Sequence, residues 1–231
     1  MSNYFLQLNP YLNKIGFSAT VGGGTRIIKY IETMMCDNIT SMHIIVNGTL
    51  NYIFEEMSKG SGIAEAIKNA KTLGYVEPGA NNILDIVNEE SYHDIPMKLS
   101  ILHNFFKFGK IIKTNDIKAK KITKSELNQL TEEAYYRRYI ISLRKYPMEE
   151  KNIIGGFEYK TDKWNISAGF KNISKKTSYM KLKCADVNNA VLIIKGNYGA
   201  DGIYKLEGPG AGSGPTTASM IKDALTLLCV Q

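Results

Sequence analysis

Apolar residues recur at helical spacing through much of the first hundred positions and at strand spacing through most of the remainder. Residues 4–15 read as a short helix closed by Gly16, and Phe17-Ser18-Ala19-Thr20-Val21 reads as a strand running into Gly22-Gly23-Gly24. Residues 27–35 return to helical spacing. Met42-His43-Ile44-Ile45-Val46 is an unbroken apolar-type run of strand length, ended by Asn47-Gly48-Thr49. Leu50, Tyr52, Ile53 and Met57 then repeat at helical period, and a second helix is expected over 63–73 with Gly74 as its stop. A longer connection follows over 78–92. The next helix is expected to start with Asp94 at its N-cap, since Pro96 suits a first turn. It should continue through Leu99, Leu102, Phe105 and Phe106. From about 118 the texture is β-type: Tyr139 to Leu143, Ile153-Ile154, Ser178 to Leu182 and Ala190 to Ile194, interrupted by a helix around 124–134. A last helix is expected over 214–229, with Ser213 as N-cap, Pro215 in the first turn, and Ile221, Ala224, Leu225 and Leu228 as its core-facing side. This order predicts one α+β domain over residues 1–231, a mixed or antiparallel sheet covered by helices.

Composition narrows the class. A chain of 231 residues with 44% hydrophobic and 22% charged residues can bury a sizeable core. No apolar run is long enough for a membrane span, and Met1-Ser2-Asn3-Tyr4-Phe5-Leu6 lacks the basic, then apolar, pattern of a secretory signal. Cys36, Cys184 and Cys229 are scattered and odd in number, which predicts reduced thiols and a cytoplasmic protein, with neither a disulfide framework nor a zinc site. The net charge of +7 is spread in ones and twos, as at Lys175-Lys176. Without a basic stripe interleaved with aromatics, this is a solvated surface and no nucleic-acid track. His43, on an apolar strand, reads as a hydrogen-bonded core histidine.

The candidate chemistry is polar and local. Asp94 and Lys98 stand four apart on an expected helix, so both project from one face. Taken alone, such a pair steadies a helix by roughly 0.2–0.5 kcal/mol. It gains meaning from Glu77, in the turn after Gly74-Tyr75, and from Thr49, at the end of an apolar strand, where binding groups are usually displayed. A lysine held by a carboxylate can pass the proton of a substrate hydroxyl while hydride leaves the adjacent carbon. Glu77 and Asp94 suit a substrate ammonium, and Gly48 N–H or the Thr49 hydroxyl suits a substrate oxygen.

The order Val21-Gly22-Gly23-Gly24, Asn47-Gly48-Thr49-Leu50-Asn51-Tyr52-Ile53, Gly74-Tyr75-Val76-Glu77, Asp94 to Lys98-Leu99, and Gly210-Ala211-Gly212 to Pro215-Thr216 resembles homoserine dehydrogenase along nearly the whole chain. The resemblance implies an NAD(P)-dependent oxidoreductase that interconverts aspartate 4-semialdehyde and homoserine, on the route to threonine and methionine. It implies Lys98 as proton acceptor, with Asp94, Glu77, Thr49, Gly48 and Tyr75 lining the substrate pocket. Gly210 and Gly212 would lie near the nicotinamide end of the cofactor. A homodimer paired through its sheets is implied too, as is a monovalent cation on the backbone carbonyls of Val21, Gly23 and Thr25.

The sequence departs from the family pattern in four ways. The nucleotide-binding GxGxxG half does not occur in it, so the cofactor would be held by a separate polypeptide or a region outside these residues. Ser18 stands where the family carries a cation-binding glutamate. The stretch between Glu77 and Asp94 is longer than usual, and Pro96 falls between Asp94 and Lys98, where a kink would part the two side chains. The competing reading is a non-catalytic remnant serving as an amino-acid-binding or dimerisation module.

Overall fold

Runs of β-branched and aromatic residues assemble one six-stranded sheet in the computed structural model, which describes residues 1–35, 38–76, 82–147, 150, 152–174 and 178–229. The strands are β1 (Ile39–Ile45), β2 (Arg137–Arg144), β3 (Ile154–Lys160), β4 (Asn165–Asn172), β5 (Asn188–Lys195) and β6 (Gly202–Pro209). Their order is β3-β4-β2-β1-β5-β6, and every neighbour is antiparallel. The helices are α1 (Phe5–Leu8), α2 (Ile27–Met34), α3 (Gly48–Ser58), α4 (Ile63–Thr72), α5 (Ile83–Asn88), α6 (Ile95–Phe105), α7 (Lys124–Glu132) and α8 (Ser213–Leu228). A π turn, Glu89–Asp94, joins α5 to α6 without a break.

The period of two along the strands divides the sheet into two unlike faces. Met42 and Ile44 of β1, Ile141 and Leu143 of β2, and Val191 and Ile193 of β5 bury against Ile53, Phe54, Leu99 and Leu102 of the helical layer. Their alternates, Ile45, Ile140, Ala190 and Leu192, form a second cluster on the opposite face. That face is covered by a 3₁₀ segment, Ser178–Leu182, whose Tyr179 and Leu182 are buried. Beside them lies a buried ionic group in which Lys171 and Arg144 both reach Glu150, and the Tyr179 hydroxyl donates to the same carboxylate. Burial works against the Glu150 charge, but Lys171 and Arg144 hold its carboxyl down to about 2.

Several local expectations are overturned. Ser178 to Leu182 is 3₁₀ helix, not strand: in that geometry residues three apart share a side, so Tyr179 and Leu182 bury together while Met180 stays exposed. Phe17 to Val21 is no strand either. Ser18–Thr20 forms a 3₁₀ turn, because the Ser18 N–H is taken by the Asp223 carboxylate (2.8 Å) rather than by a neighbouring strand. The helix expected over 4–15 is the short α1 followed by 3₁₀ turns over Asn9–Lys14. β4 and β6 lacked a strong strand signal, and Ile153-Ile154 is only the edge of a longer β3. His43 is buried against Tyr179, with ring centroids 5.0 Å apart, yet its Nδ1 has no hydrogen-bond partner among the described residues, and burial pushes its pKa well below the usual histidine value.

The C-terminal helix forms where expected but is turned over. Met220, Ile221, Leu225 and Leu228 are each more than half exposed, while Ser219 and Asp223 are buried. The reason lies in what the polar side reaches. Ser219 Oγ donates to the Gly23 carbonyl (2.9 Å), and Asp223 accepts from Ser18 N, Ser18 Oγ (2.6 Å) and Arg26 (3.0 Å). The helix begins after Gly212 with no side-chain cap, so Ser213 is its first residue and not its N-cap.

Candidate active site

Asn47 organises the site. It ends the segment after β1 in an extended conformation and caps α3, its Oδ1 accepting from Leu50 N (2.8 Å). That bond fixes which way the carboxamide points, so Nδ2 faces outward. Its two hydrogens go to Glu90 Oε2 (2.6 Å) and Asp94 Oδ2 (2.7 Å). The Lys98 ammonium meets the same Asp94 oxygen at 2.6 Å and donates to the Val46 carbonyl at 3.2 Å. One capping residue thus gathers two carboxylates, one of them carrying a lysine.

The π turn resolves the difficulty that Pro96 raised. Asp94 has helical backbone angles and caps nothing; the helical run starts upstream, where Asn82 accepts from Asp85 N. Proline has no N–H to give to the preceding turn. In the wider π register that donor would have met the Ser91 carbonyl, which instead accepts from the buried Tyr139 hydroxyl (3.2 Å). The helix therefore runs through Pro96, and Asp94 and Lys98 remain on one face.

These groups line a cavity of about 380 Å³ together with Gly48, Thr49, Gly74, Tyr75, and the turn from Gly210 to Ser213, with Thr216 and Thr217 of α8 beyond. Close approach explains two glycines. A Cβ on Gly48 would lie 2.4 Å from the Val187 carbonyl oxygen, and one on Gly210 would lie 2.4 Å from Asn189 Oδ1. Asn189 is wholly buried beneath this turn, and neither polar atom of its side chain has a hydrogen-bond partner among the described residues. The Thr49 hydroxyl donates to the Tyr75 carbonyl (2.7 Å), so it belongs to the first turn of α3 rather than to a strand end, and its lone pairs face a ligand as acceptors only.

Of the residues expected to form the pocket, Gly48, Thr49, Tyr75, Asp94, Lys98, Gly210 and Gly212 are brought together, and Glu77 lies outside the described residues. Val21, Gly23 and Thr25 do not line the cavity but pack behind its glycine turn: a Cβ on Gly23 would lie 2.9 Å from the Gly210 carbonyl oxygen, and the Gly23 carbonyl is engaged by Ser219 of α8. Glu90 and Asn189 were missed, and Asn47 stood in the expected Asn47-Gly48-Thr49 segment with no role for its side chain. Only Asn47 left a signal, an Asx residue just ahead of a helical run; Glu90 owes its place to the π turn, which no periodicity announces.

An α+β domain whose ionic site sits between a capped helix start and a glycine turn has the makings of a small-molecule enzyme domain. Residues 27–225 match the family model described as homoserine dehydrogenase, and the chain belongs to that family. A homoserine dehydrogenase from Helicobacter pylori is 30% identical over 226 residues, covering 97% of this chain and 48% of that protein. The NAD(+)-dependent homoserine dehydrogenase of Pseudomonas canavaninivorans is 27% identical, covering 90% of this chain and 53% of its own length. The chain thus spans about half the length of the relatives it matches. In structure, a hyperthermophilic archaeal homoserine dehydrogenase solved with NADPH superposes with a TM-score of 0.64 at 22% identity, over 100% of this chain and 61% of that one. This last likeness speaks for the fold.

Proposed function

We propose that this chain is the substrate-binding and catalytic half of a homoserine dehydrogenase, interconverting aspartate 4-semialdehyde and homoserine with NAD(P)H in cytoplasmic threonine and methionine biosynthesis. The observation that carries the reading is the Asp94–Lys98 pair, fixed by Asn47 at the mouth of the Gly210 turn. In the reducing direction Lys98 Nζ gives its proton to the aldehyde oxygen, and in the oxidising direction it takes the hydroxyl proton back. Asp94 and the Val46 carbonyl hold that nitrogen in place for the transfer. Gly48 N–H suits a substrate oxygen, the Thr49 hydroxyl, already donating to Tyr75, is left to accept from a substrate donor, Tyr75 walls the pocket, and Glu77 belongs to the same ammonium-binding role as Asp94. The nicotinamide, when bound, supplies or receives the hydride; Gly210 and Gly212 belong to the turn that would face its edge.

The dinucleotide would be held mostly by groups outside these residues. In support, the exposed apolar row of α8, Met220, Ile221, Leu225 and Leu228, starts one turn from the cavity and offers a nucleotide-binding domain a surface to pack on. A homodimer would use the opposite face of the sheet, where open hollows of about 720 and 760 Å³ flank Arg144 and Tyr146. The donor set for a monovalent cation does not fit. The Gly23 carbonyl accepts from Ser219, Ser18 replaces a carboxylate, and the nearby Asp223 is engaged by Ser18 and Arg26, so no step runs through a cation at Val21, Gly23 and Thr25. Among the described residues no helix is long and apolar enough to cross a membrane.

Calorimetry with homoserine tests the reading. Wild type is expected to bind it, and turnover is expected once a purified nucleotide-binding domain of the family and NADPH are added. Binding without turnover would favour the amino-acid-binding module instead, and a folded protein that takes up no homoserine would end the proposal.

A further inference from the structure

The described part of the stretch ahead of Asp94 folds into α5 and the π turn, and its effect is to deliver a second carboxylate to the site. Glu90 and Asp94 both lie within 2.7 Å of Asn47 Nδ2, so their oxygens converge on one nitrogen from either side. Asn47 cannot turn away, because its Oδ1 is committed to Leu50 N. Among the described residues, the charged groups lining this cavity are those two carboxylates and one ammonium, Lys98. Lys98 contacts Asp94 on the oxygen that faces Asn47, at one end of the pair.

We propose that Glu90 is a specificity-determining residue of the pocket: with Asp94 it receives the α-ammonium of an amino-acid substrate. This rests on the reading of the cavity as a homoserine site. A primary ammonium presents three hydrogens and accepts from nothing, so it fits between two carboxylates that already share one donor. The substrate is thereby oriented, ammonium toward Glu90 and reactive oxygen toward Lys98 at the other end of the Asp94 contact. The pocket consequently selects amino alcohols and amino aldehydes over the corresponding hydroxy acids, a discrimination to which Glu90 adds a carboxylate that, unlike Asp94, is not shared with Lys98.

The test pairs two ligands with two variants. Homoserine and 4-hydroxybutanoate, which keeps the alcohol and carboxylate but lacks the ammonium, are titrated calorimetrically into wild type, Glu90→Gln and Glu90→Asp, with circular dichroism as a check on folding. Loss of a charged hydrogen bond weakens homoserine binding by at least about tenfold in Glu90→Gln, leaves 4-hydroxybutanoate unchanged, and is partly restored in Glu90→Asp. Unchanged homoserine affinity in Glu90→Gln overturns the inference while leaving the homoserine site standing. Equal weakening of both ligands overturns it as well, by assigning Glu90 to the framework. Failure of wild type to bind homoserine removes the site and the inference together. Should Glu90→Gln not fold, the same comparison of ligands in Glu90→Asp decides between these outcomes.

Discussion

Asp223→Ala should loosen the C-terminal helix and the glycine-rich turn beneath it, because this one carboxylate is the knot between them. Asp223 accepts from the Ser18 backbone, the Ser18 hydroxyl and the Arg26 guanidinium. Its side chain is 6% exposed and that of Arg26 is 20% exposed. Removing one partner of a buried ion pair costs about 3–5 kcal/mol. Arg26 recovers part of that through its exposed fifth, while the Ser18 N–H, deep in the structure, is left unpaired at about 1–3 kcal/mol. The expected loss is therefore about 3 kcal/mol, and Asp223→Asn, which keeps one acceptor oxygen, should lose roughly half as much. Urea unfolding followed by circular dichroism measures the sum; hydrogen exchange at the Ser18 amide measures the local part. With Ser18→Ala the losses should fall short of additive, since both changes cut the same bond. A variant Asp223→Ala that unfolds within about 0.5 kcal/mol of wild type, with Ser18 still protected, would refute this account of the inverted helix.

Three further outcomes are expected. Lys98→Ala in the presence of a nucleotide-binding half should lower turnover by roughly 10²–10⁴ with the fold intact, and Asp94→Ala should weaken homoserine binding by roughly 1.5–3 kcal/mol in calorimetry. Gly210→Ala places a methyl group 2.4 Å from Asn189 Oδ1 and should destabilise by roughly 1–3 kcal/mol in thermal melts; Asn189→Ala in the same chain should relieve it, and failure to do so would relocate the clash. Acid unfolding should track Glu150: its folded-state carboxyl, at about 2, lies below the usual 4.5, so its contribution is complete above pH 4.5 and is lost as pH falls toward 2, roughly 3 kcal/mol in all. Glu150→Gln should flatten that part of the stability profile, and a wild-type profile already flat there would count against the assignment.

Legibility followed the range of the interactions involved. Helices α2, α3, α4 and α7 and the centre of the sheet were readable because periodic burial and stop residues such as Gly74 act locally. The pocket residues Thr49, Asp94 and Lys98 were readable from a motif order, not from spacing. What escaped depends on distant partners. α8 reads as an ordinary amphipathic helix, and only Gly23, Ser18 and Arg26, some 200 positions earlier, dictate that its polar side turns inward. Glu90 escaped for a different reason: a π turn shifts the angular register of a helix within a few residues, and Pro96 was read as a beginning when it is a passage.

The bond pattern around the Gly210 turn also sets when, in the life of the chain, this pocket exists. Asn47 and Gly48 leave the ribosome well ahead of the opposite wall, which arrives with Gly210 and the start of α8, after β5 has closed on β1 and β6 on β5. A nascent chain therefore holds its charged groups on an unfinished wall until the last strands pair. The cavity is therefore a property of chains folded through α8, and a stalled or clipped product ending before Gly210 lacks one of its walls.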